Sequence, residues 1–161
     1  MIPDIKTDTG VAKTDAEKAE SLGIFFASVF VREDTSRIPR MERATTDCHI
    51  ETVCIDEELV TKKLLGLKTE KSPGPDELYP RILKEAAIEI AYPVCEVFKT
   101  SLENGKLPEI WKIGNITAIH KKGPKNICNN YRPVSLTSIL CKVLESTIRD
   151  EIMAYMTENK M

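Results

Sequence analysis

Two short apolar runs separated by a basic loop set the expected fold of the second half of the chain. The first run, Ile116 to Ile119, leads into the letters HKKG, and the second, Val134 to Leu136, follows an Arg-Pro pair. Apolar, β-prone runs that are bounded by glycine, proline and asparagine are typical of strands joined by a turn. The sequence therefore predicts a β-hairpin that presents a mobile basic loop to solvent.

The cations of this segment are expected to converge on one side of the hairpin. They are Lys121, Lys122, Lys125 and Arg132. The glycine, proline and asparagine residues between them favour turns and leave backbone N–H groups free for an anion. A phosphate-rich partner is one interpretation. An ordinary solvated loop is the other, because basic clusters are common on protein surfaces.

Most of the remaining chain is predicted to be helical. Capping residues followed by apolar residues at helical spacing indicate three helices, capped by Thr14 or Asp15, by Asp56 and by Ser138. The helix after Asp56 is expected to reach Leu67, and the one after Ser138 is expected to be the longest element. The predicted fold class is α+β, mostly α-helical, with one short β-hairpin.

Prolines and a glycine divide the middle of the chain. Pro80 suits the first turn of a helix, and Pro93 is expected to separate a helix that ends near Ile90 from a second helix at residues 92–103. Gly105 is expected to cap that second helix in a left-handed conformation. Trp111, the single tryptophan, is interpreted as a core anchor.

Composition indicates a globular chain with an uneven charge distribution. Of the 161 residues, 42% are hydrophobic and 30% are charged, which is a balance typical of folded domains. The formal net charge is −2, yet residues 112–149 contain seven basic residues and one acidic residue. The C-terminal third is therefore the part expected to face an anion. Residues 1–13 are polar and without periodicity, and a flexible lead-in is expected there.

The cysteine pattern and the hydropathy exclude several classes of protein. The five cysteines are odd in number and contain no Cys-x-x-Cys pair, so neither a disulfide framework nor a zinc ribbon is expected. No basic segment leads into an apolar core at the N-terminus, and there is no apolar run long enough to cross a bilayer. An intracellular protein, cytoplasmic or nuclear, with reduced thiols and without membrane contact is expected.

Three consecutive stretches resemble the beginning of a known polymerase family. They read KSPGPDELYPRILKE, LPEIWKIGNITAIHKKG and NNYRPVSLTSILCKVLE, and together they run from Lys71 to about Arg149. Their order and spacing resemble the reverse transcriptase of non-LTR (LINE-like) retrotransposons, of the jockey and chicken-repeat type. Residues 1–52 are expected from their composition and apolar spacing to form a polar lead-in, one amphipathic helix and a charged linker. The resemblance implies a partial reverse transcriptase domain, the fingers portion, in residues 53–161.

The resemblance also implies roles for individual residues. In that family this region is the fingers subdomain, whose basic hairpin holds the triphosphate of the incoming nucleotide. Arg132 is the position implied most directly for this role, and Lys121 is implied next to it, although Lys122 could take the place of Lys121 by a slip of one residue. Five positions are possible nucleic-acid contacts: Lys71, Ser72 and Gly74 in the Ser-Pro-Gly-Pro-Asp loop, and Lys122 and Lys125 in the basic loop. A purely structural turn is the alternative for that loop.

Catalytic groups are expected to be absent from this part of the polymerase. Two-metal polymerisation needs clustered carboxylates, and Asp76 and Asp150 lie in a turn and on a helix instead. The palm, which carries the aspartates and their Mg²⁺ in the family, is expected to be missing. The predicted function is a truncated RNA-directed DNA polymerase, inactive alone, whose complete form uses a template-primer and dNTPs. A repurposed, non-enzymatic nucleic-acid-binding module and a non-functional helical remnant are the alternatives. Without the palm, the helices are expected to leave some apolar surface exposed, through which the chain could self-associate.

Overall fold

The computed structural model describes residues 2–8, 10–31, 34, 36, 50 and 53–159. The fold is α+β and mostly helical, as predicted, with two small antiparallel hairpins. Its strands are β1 (Ile5–Thr7), β2 (Gly10–Ala12), β3 (Asn115–His120) and β4 (Tyr131–Leu136). Its helices are α1 (Asp15–Ser28), α2 (Glu57–Leu65), α3 (Pro80–Glu85), α4 (Ala87–Asn104) and α5 (Ile139–Glu158), with 3₁₀ turns at Glu109–Lys112 and Cys128–Asn130.

The chain divides into two compact units. The hairpin unit comprises Met1–Arg43 and Ile116–Ser135, and the helical unit comprises Ala44–Asn115 and Leu136–Met161. The predicted boundary after residue 52 falls beside residues outside the described part of the chain. The predicted division into a lead-in region and a partial reverse transcriptase domain therefore stays a prediction.

The N-terminal residues of the hairpin unit form a β-hairpin, so the expectation of a flexible lead-in is wrong for the residues described there. β1 and β2 pair antiparallel, with Ile5 opposite Ala12. Ile5 is fully buried in a small core with Ala12, Leu22, Phe26 and Tyr131. The strands carry too few apolar residues to show a period, and their stability comes from burial against residues distant in sequence.

The first long helix begins as the sequence predicted. The Thr14 hydroxyl accepts a hydrogen bond from the Glu17 amide (3.2 Å), and the Glu17 carboxylate accepts one from the Thr14 amide (3.0 Å). This reciprocal capping box satisfies two backbone donors that a helix start leaves without partners. The two hydrogen bonds fix the start of α1, whose Leu22 and Phe26 then reach the core of the hairpin unit.

The helical unit is built around a larger apolar core. The Asp56 carboxylate caps α2 by accepting a hydrogen bond from the Leu59 amide (2.7 Å). Phe98 is fully buried and meets Trp111 edge to face, with ring centroids 5.9 Å apart. Trp111 is 7% exposed, so its predicted role as a core anchor is confirmed.

Pro93 does not separate two helices, contrary to the prediction. The break lies at Ala86, between α3 and α4, and Pro93 lies inside α4. A proline in a helix removes one amide donor, here the one that would bond the carbonyl of Glu89, and that loss is tolerated where water can reach the carbonyl. Pro93 is exposed, which meets this condition. The predicted left-handed cap at Gly105 is confirmed, with a φ of +61°.

Several apolar side chains of α3 and α4 lie on the surface. Ile82, Ile88 and Tyr92 are each at least 60% exposed. This agrees with the expectation that the helices of this region leave some apolar surface uncovered, and self-association through it stays a prediction. In the part of the chain that the structure describes, no helix combines the length and the apolar character needed to cross a membrane.

Candidate nucleotide-binding hairpin

The neck of the basic hairpin is aligned by one backbone contact and one ring contact. The amide of Lys121 donates to the carbonyl of Asn130 over 2.7 Å. The rings of His120 and Tyr131 meet edge to face, with centroids 5.4 Å apart. These contacts place residue 120 opposite 131 and residue 121 opposite 130, so the segment between them forms a closed loop at the end of the hairpin.

Five hydrogen bonds hold the loop in place, and they are accepted by the consecutive backbone carbonyl groups of residues 123–127. His120 Nε2 donates to the first (2.9 Å), the Asn130 side-chain amide to the second (2.8 Å) and the Tyr131 hydroxyl to the third (2.7 Å). The amide of Lys6 in β1 donates to the fourth (2.8 Å), and the amide of Asn130 donates to the last (3.1 Å). The predicted mobile loop is therefore hydrogen-bonded at five points, with its carbonyl oxygens turned inward.

Tyr131 anchors this arrangement in the core of the hairpin unit. Its side chain is 3% exposed, while its hydroxyl still reaches the carbonyl of Lys125. Burial raises the pKa of Tyr131 above its usual value, so the hydroxyl stays protonated and keeps donating at neutral pH. The loop is thereby attached to a rigid apolar cluster, which fixes the position of its cations.

Gly123 allows the tight turn that begins the loop. Its φ is +77°, in the left-handed region that side chains other than glycine rarely adopt. A Cβ at this position would lie 2.9 Å from Nδ2 of Asn130, the nitrogen that donates to Pro124. Both constraints require glycine here, so the turn that the sequence indicated at this position is present.

The predicted cations are exposed and have no acidic partner among the residues that the structure describes. Lys121, Lys122, Lys125 and Arg132 all have exposed side chains. The ion pairs within the described residues use other cations, such as Lys18 and Lys112. The amides of Lys122 and Lys125 also make no hydrogen bond to a described residue. The outer side of the loop therefore offers positive charge and backbone donors to an external anion.

Strand alternation predicts that Lys121 and Arg132 lie on one face of the hairpin. Side chains alternate along a strand, so the face of residues 121 and 132 is opposite to the face of the buried Tyr131. Residue 132 lies two positions beyond the partner of residue 121, and such diagonal neighbours are separated by roughly 7–8 Å between their Cα atoms. A polyphosphate can bridge two cations at this spacing, because each long side chain can reach toward the other.

The Ser-Pro-Gly-Pro-Asp loop belongs to the helical unit. Lys71 and Ser72 are exposed on it, and the Lys71 amide donates to the carbonyl of Lys68. Gly74 is buried, and a Cβ there would lie 2.5 Å from the amide nitrogen of Ser138. This glycine lets the loop pack directly on the backbone that precedes α5. Its assignment as a nucleic-acid contact stays a prediction, and Lys71 and Ser72 are the solvent-facing residues of the loop.

The expected absence of a polymerase metal site from this chain stays a prediction. No group of three metal-ligating side chains occurs within residues 2–8, 10–31 and 53–159. Asp150 is paired with Lys63 and Arg149, and hydrogen bonds from both hold the pKa of Asp150 below its usual value. A carboxylate that is already paired with two cations does not suit a bridging Mg²⁺ ligand. No chemical step through a metal is therefore assigned to this part of the chain.

Of the residues that hold the loop, the sequence predicted a turn role for Asn130 alone, without its hydrogen-bond partners. His120, Asn130, Tyr131 and Lys6 hold the loop carbonyls, and Lys6 does so through its backbone amide, which no side-chain pattern could reveal. The position of Tyr131 directly before Arg132 could have indicated its burial, because successive side chains of a strand point to opposite faces. The buried tyrosine therefore directs Arg132 outward.

Comparison with known proteins points to polymerases of mobile elements. The chain is 27% identical over 150 residues to the probable RNA-directed DNA polymerase from transposon BS of Drosophila melanogaster, a match that covers 84% of this chain and 17% of the relative. It is 31% identical over 98 residues to the RNA-directed DNA polymerase from mobile element jockey and, separately, to the probable enzyme from transposon X-element of the same organism, each match covering 60% of this chain and 11% of the relative. No protein-family model matches. The chain thus spans less than a fifth of the length of these relatives, and the expected resemblance to retrotransposon reverse transcriptases is confirmed.

Proposed function

We propose that this chain, a relative of the RNA-directed DNA polymerases of non-LTR retrotransposons, is the fingers portion of such an enzyme and holds the triphosphate of the incoming nucleotide. Arg132 and Lys121 are the triphosphate ligands in this proposal. Lys122 and Lys125 extend the same positive surface, and Lys71 and Ser72 face the template strand. The carboxylates that bind Mg²⁺ are assigned to a palm subdomain outside this sequence.

One observation carries the proposal: two exposed cations, without acidic partners among the described residues, lie at the neck of a hairpin whose loop is hydrogen-bonded at five carbonyls. A rigid loop orders its charged groups before the ligand arrives, which lowers the entropy cost of binding. Arginine suits the task because its planar guanidinium can donate two parallel hydrogen bonds to phosphate oxygens. Lysine adds a compact positive charge that can contact a second phosphate group of the triphosphate.

The direct test is the affinity of the purified 161-residue protein for a fluorescent deoxynucleoside triphosphate, mant-dGTP. Arg132→Ala should weaken binding by about 1.5–3 kcal/mol, or roughly tenfold to a hundredfold, because the variant cannot donate a charge-assisted hydrogen bond to the phosphate. Arg132→Lys should recover only part of that affinity, since an ammonium group cannot reproduce a two-pronged contact.

Arg81→Ala is the matched control. Arg81 is exposed on α3 and paired with Glu85 through an i, i+4 contact, so the same charge is removed from the helical unit. The Arg81→Ala variant should bind mant-dGTP with an affinity within about twofold of that of the parent, because an exposed ion pair contributes little. If Arg132→Ala and Arg81→Ala bind mant-dGTP equally well while both retain the circular dichroism of the parent, the triphosphate role of the hairpin is wrong.

A further inference from the structure

A second basic surface lies in the helical unit and shares no residue with the hairpin. It is a groove of about 570 Å³ between the end of α2, the loop that follows it and the first turns of α5. Five lysines line it: Lys62, Lys63, Lys68, Lys71 and Lys142. We refer to this cavity as the lysine groove. Of its five lysines, sequence reasoning singled out Lys71 alone.

The lysine groove keeps a strong positive charge after its internal pairing is counted. Among the described residues, Asp150 is the single acidic residue of the lining, and it is paired with Lys63. Lys62, Lys68, Lys71 and Lys142 have no carboxylate partner among the described residues. Lys142 donates to the carbonyl of Thr137 (3.2 Å), a contact that positions the ammonium group without neutralising it.

Local helix electrostatics explain only part of this lysine content. Lys62 and Lys63 lie in the last turn of α2, where cations are favourable because the C-terminal end of a helix carries partial negative charge. Lys142 lies near the N-terminal end of α5, where a cation is unfavourable, and the first turn of that helix contains no acidic residue. Lys142 and the positive end of α5 therefore add to the same field, which favours an anion in the groove.

The groove has a fixed shape, because Gly74 holds the loop and α5 together. Its Cα approaches the backbone of residues 137 and 138 so closely that a Cβ would lie 2.5–2.7 Å from three backbone atoms. The lysine-bearing loop that precedes Gly74 is thereby attached to the helix that carries Lys142. Apolar residues, including Leu59, Ile139 and Val143, form part of the lining between the cations.

The chemistry of the lining indicates which anion fits. No aromatic side chain lines the groove, so there is no platform on which a base could stack. Lysines are compact point charges that contact phosphates without reading a base sequence. Several such charges along one open groove match the repeating phosphates of a strand better than a single phosphate group.

We propose that the lysine groove binds the sugar-phosphate backbone of a single-stranded nucleic acid, with Lys62, Lys68, Lys71 and Lys142 neutralising successive phosphates. This inference deepens the proposed function, on which it rests, because it names the surface that holds the strand apart from the hairpin that holds the nucleotide. Binding at the groove is independent of base sequence and falls steeply with salt.

The test is fluorescence anisotropy of the full chain with a labelled oligo(U) RNA and with oligo(dT), each roughly 20 nucleotides long so that several phosphates can bind at once, over a series of salt concentrations. The double charge reversal Lys68→Glu/Lys142→Glu should weaken binding of both strands at least tenfold. It should also reduce the slope of log affinity against log salt by about 0.7 for each phosphate that the variant no longer neutralises. The neutral pair Lys68→Gln/Lys142→Gln gives a second measurement if the reversal unfolds the protein, and Trp111 fluorescence reports that unfolding.

Lys99→Glu/Lys106→Glu is the matched control, since both lysines lie on the helical unit outside the groove and the change in net charge is identical. The inference is supported if the groove variant binds the strands more weakly while the control variant binds them as the parent does. The groove variant should also keep the affinity of the parent for mant-dGTP. An equal decrease in both variants, or strand binding that the groove variant retains, overturns it. Failure of the proposed function gives a different result, namely mant-dGTP affinity that is insensitive to Arg132→Ala whatever the groove variant does.

Discussion

The close approach of Gly74 to α5 makes Gly74→Ala the sharpest structural perturbation of the helical unit. A Cβ there would lie 2.5 Å from the amide nitrogen of Ser138 and 2.6 and 2.7 Å from the carbonyl carbon and oxygen of Thr137. These distances are roughly 0.7–0.9 Å short of the 3.4 Å at which ordinary contact begins. All three atoms belong to the backbone, so no side chain can rotate to relieve the clash. The loop or the start of α5 must move.

The free-energy cost of this movement can be estimated from the residues around Gly74. Inserting a methyl group into a packed site costs about 1–3 kcal/mol, and more where the neighbours cannot relax. Ser138 is fully buried, its hydroxyl caps α5, and prolines on both sides of Gly74 stiffen the loop. We therefore expect Gly74→Ala to lower the free energy of unfolding by about 3 kcal/mol, near the upper end of that range, and to lower the Tm by about 6–12 °C.

Urea unfolding followed by the fluorescence of Trp111 measures this decrease, because the single tryptophan lies in the core of the helical unit. Gly66→Ala is the control in the same unit. Gly66 has a φ of −78°, and a Cβ there would meet its nearest atoms at 3.4–3.5 Å, so the change should stay within about 1 kcal/mol. A Gly74→Ala protein that unfolds within about 0.5 kcal/mol of the parent would refute the packing described for this loop.

Three further predictions follow from other parts of the molecule. Gly123→Ala forces a side chain to a φ of +77° and against Asn130, at a cost of about 1–2 kcal/mol, so hydrogen exchange at the Lys121 amide should become roughly fivefold to thirtyfold faster. Unchanged exchange would show that the turn does not need glycine. Burial raises the pKa of Cys141 from near 9 to about 11, so the folded state favours the neutral thiol; the resulting stability is present below pH 9 and is lost as the pH rises toward 11. Cys141→Ala should flatten that alkaline decline in the urea midpoint, and an identical decline in the variant would contradict the assignment. The isolated chain should extend no primer with Mg²⁺ or Mn²⁺, because its described residues hold no carboxylate cluster; template-dependent synthesis that copurifies with the chain through successive columns would contradict the fingers assignment.

Local signals in the sequence predicted local structure well. The caps at Thr14, Asp56 and Ser138 form the predicted hydrogen bonds, and Gly105 adopts the predicted left-handed conformation. Each of these features depends on residues within one helical turn, so the determinants can be read directly from the sequence. Pro93 is the exception, because the packing of α4 on the core outweighs one missing hydrogen bond at an exposed position.

Features that depend on distant contacts were not predictable in the same way. Ile5 is buried against Tyr131, and the amide of Lys6 holds the carbonyl of Asn126, so the N-terminal hairpin and the basic loop stabilise each other. The lysine groove likewise joins the end of α2 to the start of α5, and its charges are far apart in sequence. The basic hairpin was predicted from its composition and from resemblance to a known family, while its internal bracing required the structure.

The proposed function requires that the outer side of the basic hairpin binds a nucleoside triphosphate. A ¹⁵N–¹H correlation spectrum of the 161-residue protein during titration with dGTP measures this binding residue by residue. We expect the largest shifts at the amides of Lys121, Lys122, Lys125 and Arg132, and we expect tripolyphosphate alone to reproduce most of them. Shifts confined to the helical unit, or a spectrum unchanged at saturating dGTP, would show that the hairpin is not the triphosphate site.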